Sequence, residues 1–351
     1  MAIAEARAGN APLVWLRHSL RWLAVAGKRV FQAVLIGWAA LAIYYSNLPW
    51  AWLRLVLALA FAAFGVWALW IARARSHSWR HLFAFAALFA AVLIWWSTIQ
   101  PSHERQWRRD VAVMPRAFIE EDHVRLTGVR NFDYRSADDF TVRYEEREVA
   151  LSHLTGVDFY ISYWMPGPIG HTFLSFVFDN APPVSISIEA RPEEHEGYAP
   201  IASLFKQFEL IYVVGDERDI VRVRTNFRGE DVYLFRVRIS QQAARRLFLI
   251  YLERMNQLAD KAEFYHLLSN SCTVNIVRYS YALAELRRPF NIRHYLNGLI
   301  DGYLYNLGRL ETTLPFQELR SRSRINEAAQ AADNAADFST RIRASLPAER
   351  R

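Results

Sequence analysis

Residues 264–280 read FYHLLSNSCTVNIVRYS, and Cys272 within them is the only cysteine of the chain. It follows a polar Ser-Asn-Ser step and opens a run with apolar residues at helical spacing, predicted to be helical through about Leu286. A thiol in the first turn of a helix feels the positive end of the helix dipole. That favours the thiolate, the form that attacks carbonyl carbon. Asn270 or Ser271 is placed to cap the helix by accepting a bond from a first-turn N–H. The amides of that turn can also serve a developing oxyanion. Asn270 and Ser271 are therefore candidate substrate-binding positions. The plainer alternative is that Cys272 is a small buried residue.

A cysteine nucleophile needs a base. Ten histidines compete for the role. His171 is the best placed, because GPIGHTFLSFVF sets it at the first position of an apolar strand, just after a Gly/Pro turn. A residue there is held rigidly at a sheet end; the alternative is a polar strand end without a task. Beside it, YISYWMPGPIG (Tyr160–Gly170) offers Tyr163 and Trp164 to line a substrate groove, although the same residues suit a core.

These residues need a framework. The chain has 351 residues, 52% hydrophobic, which allows one or two domains with a real core. The net charge of +7 sits largely beside apolar segments, and no stretch resembles a nucleic-acid module, so a membrane is the expected partner rather than nucleic acid. A single cysteine excludes an intrachain disulfide and any multi-cysteine zinc site; no metal is expected.

Three segments of the first hundred residues are close to the roughly 20 residues that cross a bilayer as a helix. They are Val30–Ser46, Ala51–Ala72 (with Arg54 as its one charge) and Leu82–Thr98. Trp and Tyr gather at their ends. Arg7, Arg17, Arg21, Lys28 and Arg29 precede the first segment, and Arg73, Arg75 and Arg80 lie between the second and third. The positive-inside rule then places residues 1–29 in the cytoplasm and everything after Thr98 outside the inner membrane. Residues 13–25 read at most as an amphipathic helix on the membrane surface. No cleaved signal peptide is expected.

The remaining residues alternate in the manner of strands: VDFYISYWM, HTFLSFVF, VSISIEAR, FELIYVVG, IVRVRTN and DVYLFRVRI. From Ser240, a plausible N-cap, SQQAARRLFLIYLERMNQLAD turns helical. A mainly antiparallel sheet followed by helices is an α+β domain, expected over 99–320. Residues 321–351 read as a surface helix and disordered tail. The GDERD turn is expected to be a charged hairpin. Its neighbours Arg218, Arg222, Arg224 and Arg228 are read as ion pairs with nearby carboxylates, or alternatively as an anion site.

A histidine on a strand, upstream of a cysteine at a helix start, resembles the permuted papain-like arrangement of lecithin retinol acyltransferase and NlpC-type proteins. More specifically, five blocks resemble the Lnb N-terminal periplasmic domain family, associated with bacterial lipoprotein N-acyltransferase. They are VRNFDYRSADDFTVRY, HTFLSFVFD, SISIEARPEEHEGYAP, FELIYVVGDERDIVRVRTNFRGEDVYLF and FYHLLSNSCTVNI, in order over most of 124–290. The family's usual Asn-Asn-Cys-Thr-Thr-Asn stands here as Asn270-Ser271-Cys272-Thr273-Val274-Asn275. The membrane helices precede the domain in this chain and follow it in the Lnb enzyme.

The resemblance implies a permuted papain-like (NlpC-like) domain with Cys272 as nucleophile, His171 as base and no cofactor. It also implies a polar residue to orient the histidine. VSISIEAR offers Ser185, Ser187 and Glu189 on one alternating face, and Glu189 would stabilise an imidazolium best. Asp158, on the preceding strand, is the second candidate. The implied function is acyl transfer through a thioester, from a phospholipid to a lipoprotein amine. The alternatives are a periplasmic cysteine amidase or peptidase acting on cell-wall or other peptides, and a non-catalytic membrane scaffold.

Overall fold

The computed structural model describes residues 11–74, 79–310 and 312–346, and it divides into two compact units. Arg7, Arg75, Ser76 and Arg351, and the side chains of Arg17 and Arg73, lie outside the described residues.

The first unit comprises residues up to Gln100, with Phe205–Gln207. It holds α1 (Ala11–Tyr44), α2 (Ala51–Ala74) and α3 (Trp79–Thr98). Each contains a span long and apolar enough to cross a membrane: His18–Tyr44, Ala51–Leu69 and Trp79–Thr98. Ile36, Ala39, Ile43, Ala58, Phe61, Phe85 and Val92 pack among the three helices. Large apolar side chains such as Leu23, Phe31, Leu59, Phe83 and Ile94 face outward. That inversion of the usual soluble pattern suits a hydrocarbon surround. Arg54, the one charge expected in the second segment, reaches back to the Ser46 carbonyl (3.2 Å). Residues 13–25, read at most as an amphipathic surface helix, are helical but not a separate element. Those residues continue without a break into α1, because nothing in the sequence stops a helix before Tyr44.

The second unit is mixed α+β with a mostly antiparallel sheet. Its strands are β1 (Arg116–Glu120), β2 (His123–Arg130), β3 (Asp133–Tyr134), β4 (Phe140–Thr141), β5 (Tyr144–Ala150), β6 (Leu154–Tyr163), β7 (His171–Phe178), β8 (Val184–Arg191), β9 (Glu209–Asp216) and β10 (Asp231–Arg236). The large sheet runs β1-β2-β9-β8-β7-β6-β10, with β5 also on β2; β3 and β4 form a small hairpin. Pairing of β2 with β9 is parallel, at Arg130 and Gly215. β6 to β9 are buried almost throughout, which is why they read as near-continuous apolar runs.

Helices cover both faces. α4 (Glu217–Arg222) continues as a π-helical turn, Val223–Phe227. α5 (Gln241–Asp260) and α6 (Cys272–Leu283) follow. Then come α7 (Ile300–Asn306), α8 (Phe316–Ser323), α9 (Asn326–Ala332) and α10 (Phe338–Arg341). Phe176 packs on Phe248 and Tyr251 of α5. Its neighbours in the strand alternation, Phe173 and the paired Tyr160, point the other way, into a core with Ile325, Ala329, Phe338 and Ile342.

Three expectations are corrected here. IVRVRTN is not a strand: Asp216 accepts from the Arg218 N–H and caps a helix, overriding the β propensity of its Ile and Val residues. The GDERD stretch is consequently a strand-to-helix junction rather than a hairpin. Residues 321–346 are not a surface tail but part of the core. Arg343 donates to Glu217 (2.6 and 2.7 Å) and Asp158 (2.9 Å), and Tyr160 adds a bond to Glu217 (2.7 Å). Ile325, Phe338 and Ile342 supply apolar side chains that the core buries.

Candidate active site

Cys272 is the first residue of α6 and is buried. The side-chain cap expected from Asn270 or Ser271 is absent: Ser271 holds the N-cap position without such a bond. Asn270 braces the turn instead. Its Oδ1 accepts from Asn275 Nδ2 (3.0 Å) and its Nδ2 donates to the Phe264 carbonyl (3.0 Å). With no side-chain cap, first-turn amides stay available to an incoming oxyanion.

His171 starts β7, as its position after Gly170 predicts. Asn297 pins that start. Its Oδ1 accepts from Gly170 N–H (2.9 Å) and its Nδ2 donates to the Gly170 carbonyl (2.5 Å). The same Nδ2 lies 3.8 Å from Cys272 Sγ. Gly298 permits this approach, since a Cβ there would meet the Pro168 carbonyl carbon at 2.5 Å. Asn297 carries no local motif, and only the fold brings it to the thiol.

β7 and β8 pair antiparallel, with Phe173 opposite Ser187. The same register carried two residues further sets His171 opposite Glu189. Ser187 Oγ lies 2.6 Å from His171 Nε2, and Glu189 Oε1 lies 3.7 Å from that nitrogen. Nδ1 is then the ring nitrogen left for the thiol. Ser187 also hydrogen-bonds Glu189, linking imidazole, hydroxyl and carboxylate in sequence. Arg224, from the π-helical turn, donates to Glu189 Oε1 (2.8 Å) and to the Ile220 carbonyl (2.6 Å), with its guanidinium over the Phe173 ring. Burial would raise the Glu189 pKa, but Arg224 first, then His171, hold its carboxyl well below the ordinary range. Ser185 instead bonds Ser175 (2.6 Å).

The thiol responds to the same arrangement. Burial by itself raises its pKa. The charge of His171 and its hydrogen bond, with bonds from the Thr172 backbone and hydroxyl, outweigh burial and bring the thiol down to about 6. Thr273 Oγ1 lies 3.7 Å from Sγ and 2.8 Å from Thr172 Oγ1.

Asp158 is elsewhere. It is fully buried between Arg236 (2.5 Å) and Arg343 (2.8 Å), opposite Ser175 on β7, and belongs to the network that anchors the C-terminal segment. Tyr163 donates to the Gly298 carbonyl (2.7 Å) and packs on Tyr233, so it supports the Asn297 turn rather than an open groove. Trp164 is exposed and meets Tyr198 edge to face. Tyr198 in turn is close enough to be affected by the thiol charge. Of the flanking arginines, Arg222 pairs with Asp333 (2.8 Å), Arg224 with Glu189, and Arg228 with Glu230 (3.9 Å), the ion-pair reading of these side chains.

No curated protein and no solved structure matches the chain. Residues 140–298, which hold Cys272, His171, Ser187, Glu189, Arg224 and Asn297, match the model of the Lnb N-terminal periplasmic domain family. With three helices long and apolar enough to cross a bilayer, the chain fits a membrane-anchored protein similar over that span to this periplasmic domain family.

Proposed function

We propose that this protein is a thiol acyltransferase, anchored in the inner membrane with its domain in the periplasm. The observation that carries the reading is the placement of Cys272 at the start of α6 beside Asn297 and within hydrogen-bonding reach of His171, itself backed by Ser187, Glu189 and Arg224. His171 takes the thiol proton. The thiolate attacks an ester carbonyl, forming a C–S bond, while first-turn amides of α6 and the Asn297 side chain face the oxyanion. Collapse breaks the C–O bond, and the imidazolium gives its proton to the leaving alcohol. An amine then attacks the thioester; the C–S bond breaks, the amine proton passes to His171, and the thiolate returns.

The family resemblance points to a phospholipid as donor and a lipoprotein amine as acceptor. The test uses the full chain in nanodiscs with a radiolabelled phospholipid and a lipopeptide bearing a free N-terminal amine. The expected product is the N-acylated lipopeptide, absent with Cys272→Ala. Free fatty acid as the sole product would make the enzyme a hydrolase; no turnover of any ester or amide would favour a non-catalytic role.

A further inference from the structure

A cavity of about 370 Å³ lies beside the site, between the sheet and helices α5, α6 and α7. Its size falls within the roughly 300–1,000 Å³ of small-ligand sites. One wall is a single face of α6: Thr273, Ile276, Val277, Ser280 and Leu283 recur at helical spacing. Leu174, Leu247 and Leu304 stand on other walls. The hydroxyls on the α6 wall already have partners. Thr273 bonds Thr172, and Ser280 Oγ donates to the Ile276 carbonyl (2.8 Å), so that wall presents chiefly hydrocarbon.

The position matters as much as the lining. Thr273 borders the cavity, and its Oγ1 is only 3.7 Å from Cys272 Sγ. From there the α6 wall extends for about 15 Å to Leu283, at a helical rise of about 1.5 Å per residue. This is an elongated apolar space whose near end is lined by Thr273, the residue next to the nucleophile. We infer that the cavity holds the hydrocarbon chain of the acyl group carried by Cys272, carboxyl end at the sulfur and methyl end toward Leu283, and so measures chain length. The inference rests on the proposed acyl transfer and adds the binding site for the chain.

Two measurements on the full chain in nanodiscs test it separately from the chemistry. First, acylation of Cys272 by p-nitrophenyl butyrate and palmitate is followed by intact mass. The palmitate ester reacts faster in the wild type. Ala284→Trp and Ala243→Trp, which fill the end away from Cys272, lower the palmitate rate about ten-fold or more, the worth of two lost methylene contacts, and leave butyrate unchanged. Retained butyrate reactivity shows that the variants fold. Second, a diazirine-bearing palmitate is photocrosslinked to Cys272→Ala, with crosslinks expected in α6 and α7. Such crosslinks without any wild-type Cys272 adduct would keep the cavity as a hydrocarbon site and remove the transferase reading. Adducts formed equally from both esters, unchanged in both tryptophan variants and with crosslinks outside α6 and α7, would overturn the cavity assignment and leave the transferase reading standing.

Discussion

His171 Nε2 meets Ser187 Oγ at 2.6 Å, while Glu189 stands behind at 3.7 Å. The hydroxyl thus lies between the imidazole and the carboxylate expected to orient it. Ser187→Ala should lower the acyl-enzyme rate by about 10²-fold or more, since a general base loses its fixed orientation. Glu189→Gln should also slow it, because the imidazolium loses a charged partner while the shape persists. Stopped-flow acylation of both variants ranks them; full activity in both would leave a bare Cys-His dyad.

The alkylation rate of Cys272 against pH should show a midpoint near 6, well below the roughly 8.5 of a free cysteine. His171→Ala should move the midpoint upward, because burial then acts without the opposing charge. The sign for stability follows. A thiol whose folded pKa is lowered stabilises the fold above about 8.5, and that contribution is lost as pH falls through about 6. Melting curves of wild type and Cys272→Ser across that window should converge toward the acid end.

Arg343 and Asp158 form a structural rather than catalytic pair. Arg343→Ala leaves Glu217 and Asp158 buried with less compensation, so it should destabilise the domain by about 3–5 kcal/mol. Thiol alkylation below the melting transition should keep its midpoint. Denaturant unfolding checks the first outcome; a loss below about 1 kcal/mol would mean that the C-terminal segment is held by its apolar face alone.

Membrane orientation follows from arginine and lysine placement around the three apolar spans. Reporter fusions at Ser76 and Arg351 should signal cytoplasm and periplasm respectively. The reverse pattern would move the site to the cytoplasm.

The parts legible in the sequence are those whose determinants are local. Val30–Ser46, Ala51–Ala72 and Leu82–Thr98 announce helices by composition, and β6 to β10 by dense β-branched and aromatic runs. Cys272 at a helix start and His171 at a strand start follow from the polar and Gly/Pro steps before them. Helix α4 was hidden because its cap, Asp216, outweighs the propensity of Ile220, Val221 and Val223. The strands β1 to β5 were not separated because β3 and β4 are only two residues long and the apolar alternation of β1, β2 and β5 is broken by charges such as Arg116, Arg125, Glu145, Glu146, Arg147 and Glu148. Arg224 and Asn297 reach the site only through long-range packing, Arg224 from a π-helical turn and Asn297 from a loop that Gly298 lets close on Pro168. Ser187 was visible as one of three residues on a face; choosing it over Glu189 for direct contact required the side-chain distances, because the strand register itself sets Glu189 opposite His171.

The claim on which the rest depends is that Cys272 is a nucleophile activated by His171. The most direct measurement is intact mass spectrometry of the full chain after incubation with a long-chain acyl ester, at a pH near 7. The account predicts an adduct equal in mass to one acyl group, mapped to Cys272 by peptide sequencing, absent in Cys272→Ala and strongly slowed in His171→Ala. An unmodified Cys272 in folded protein, or an adduct that forms equally fast in His171→Ala, would contradict it.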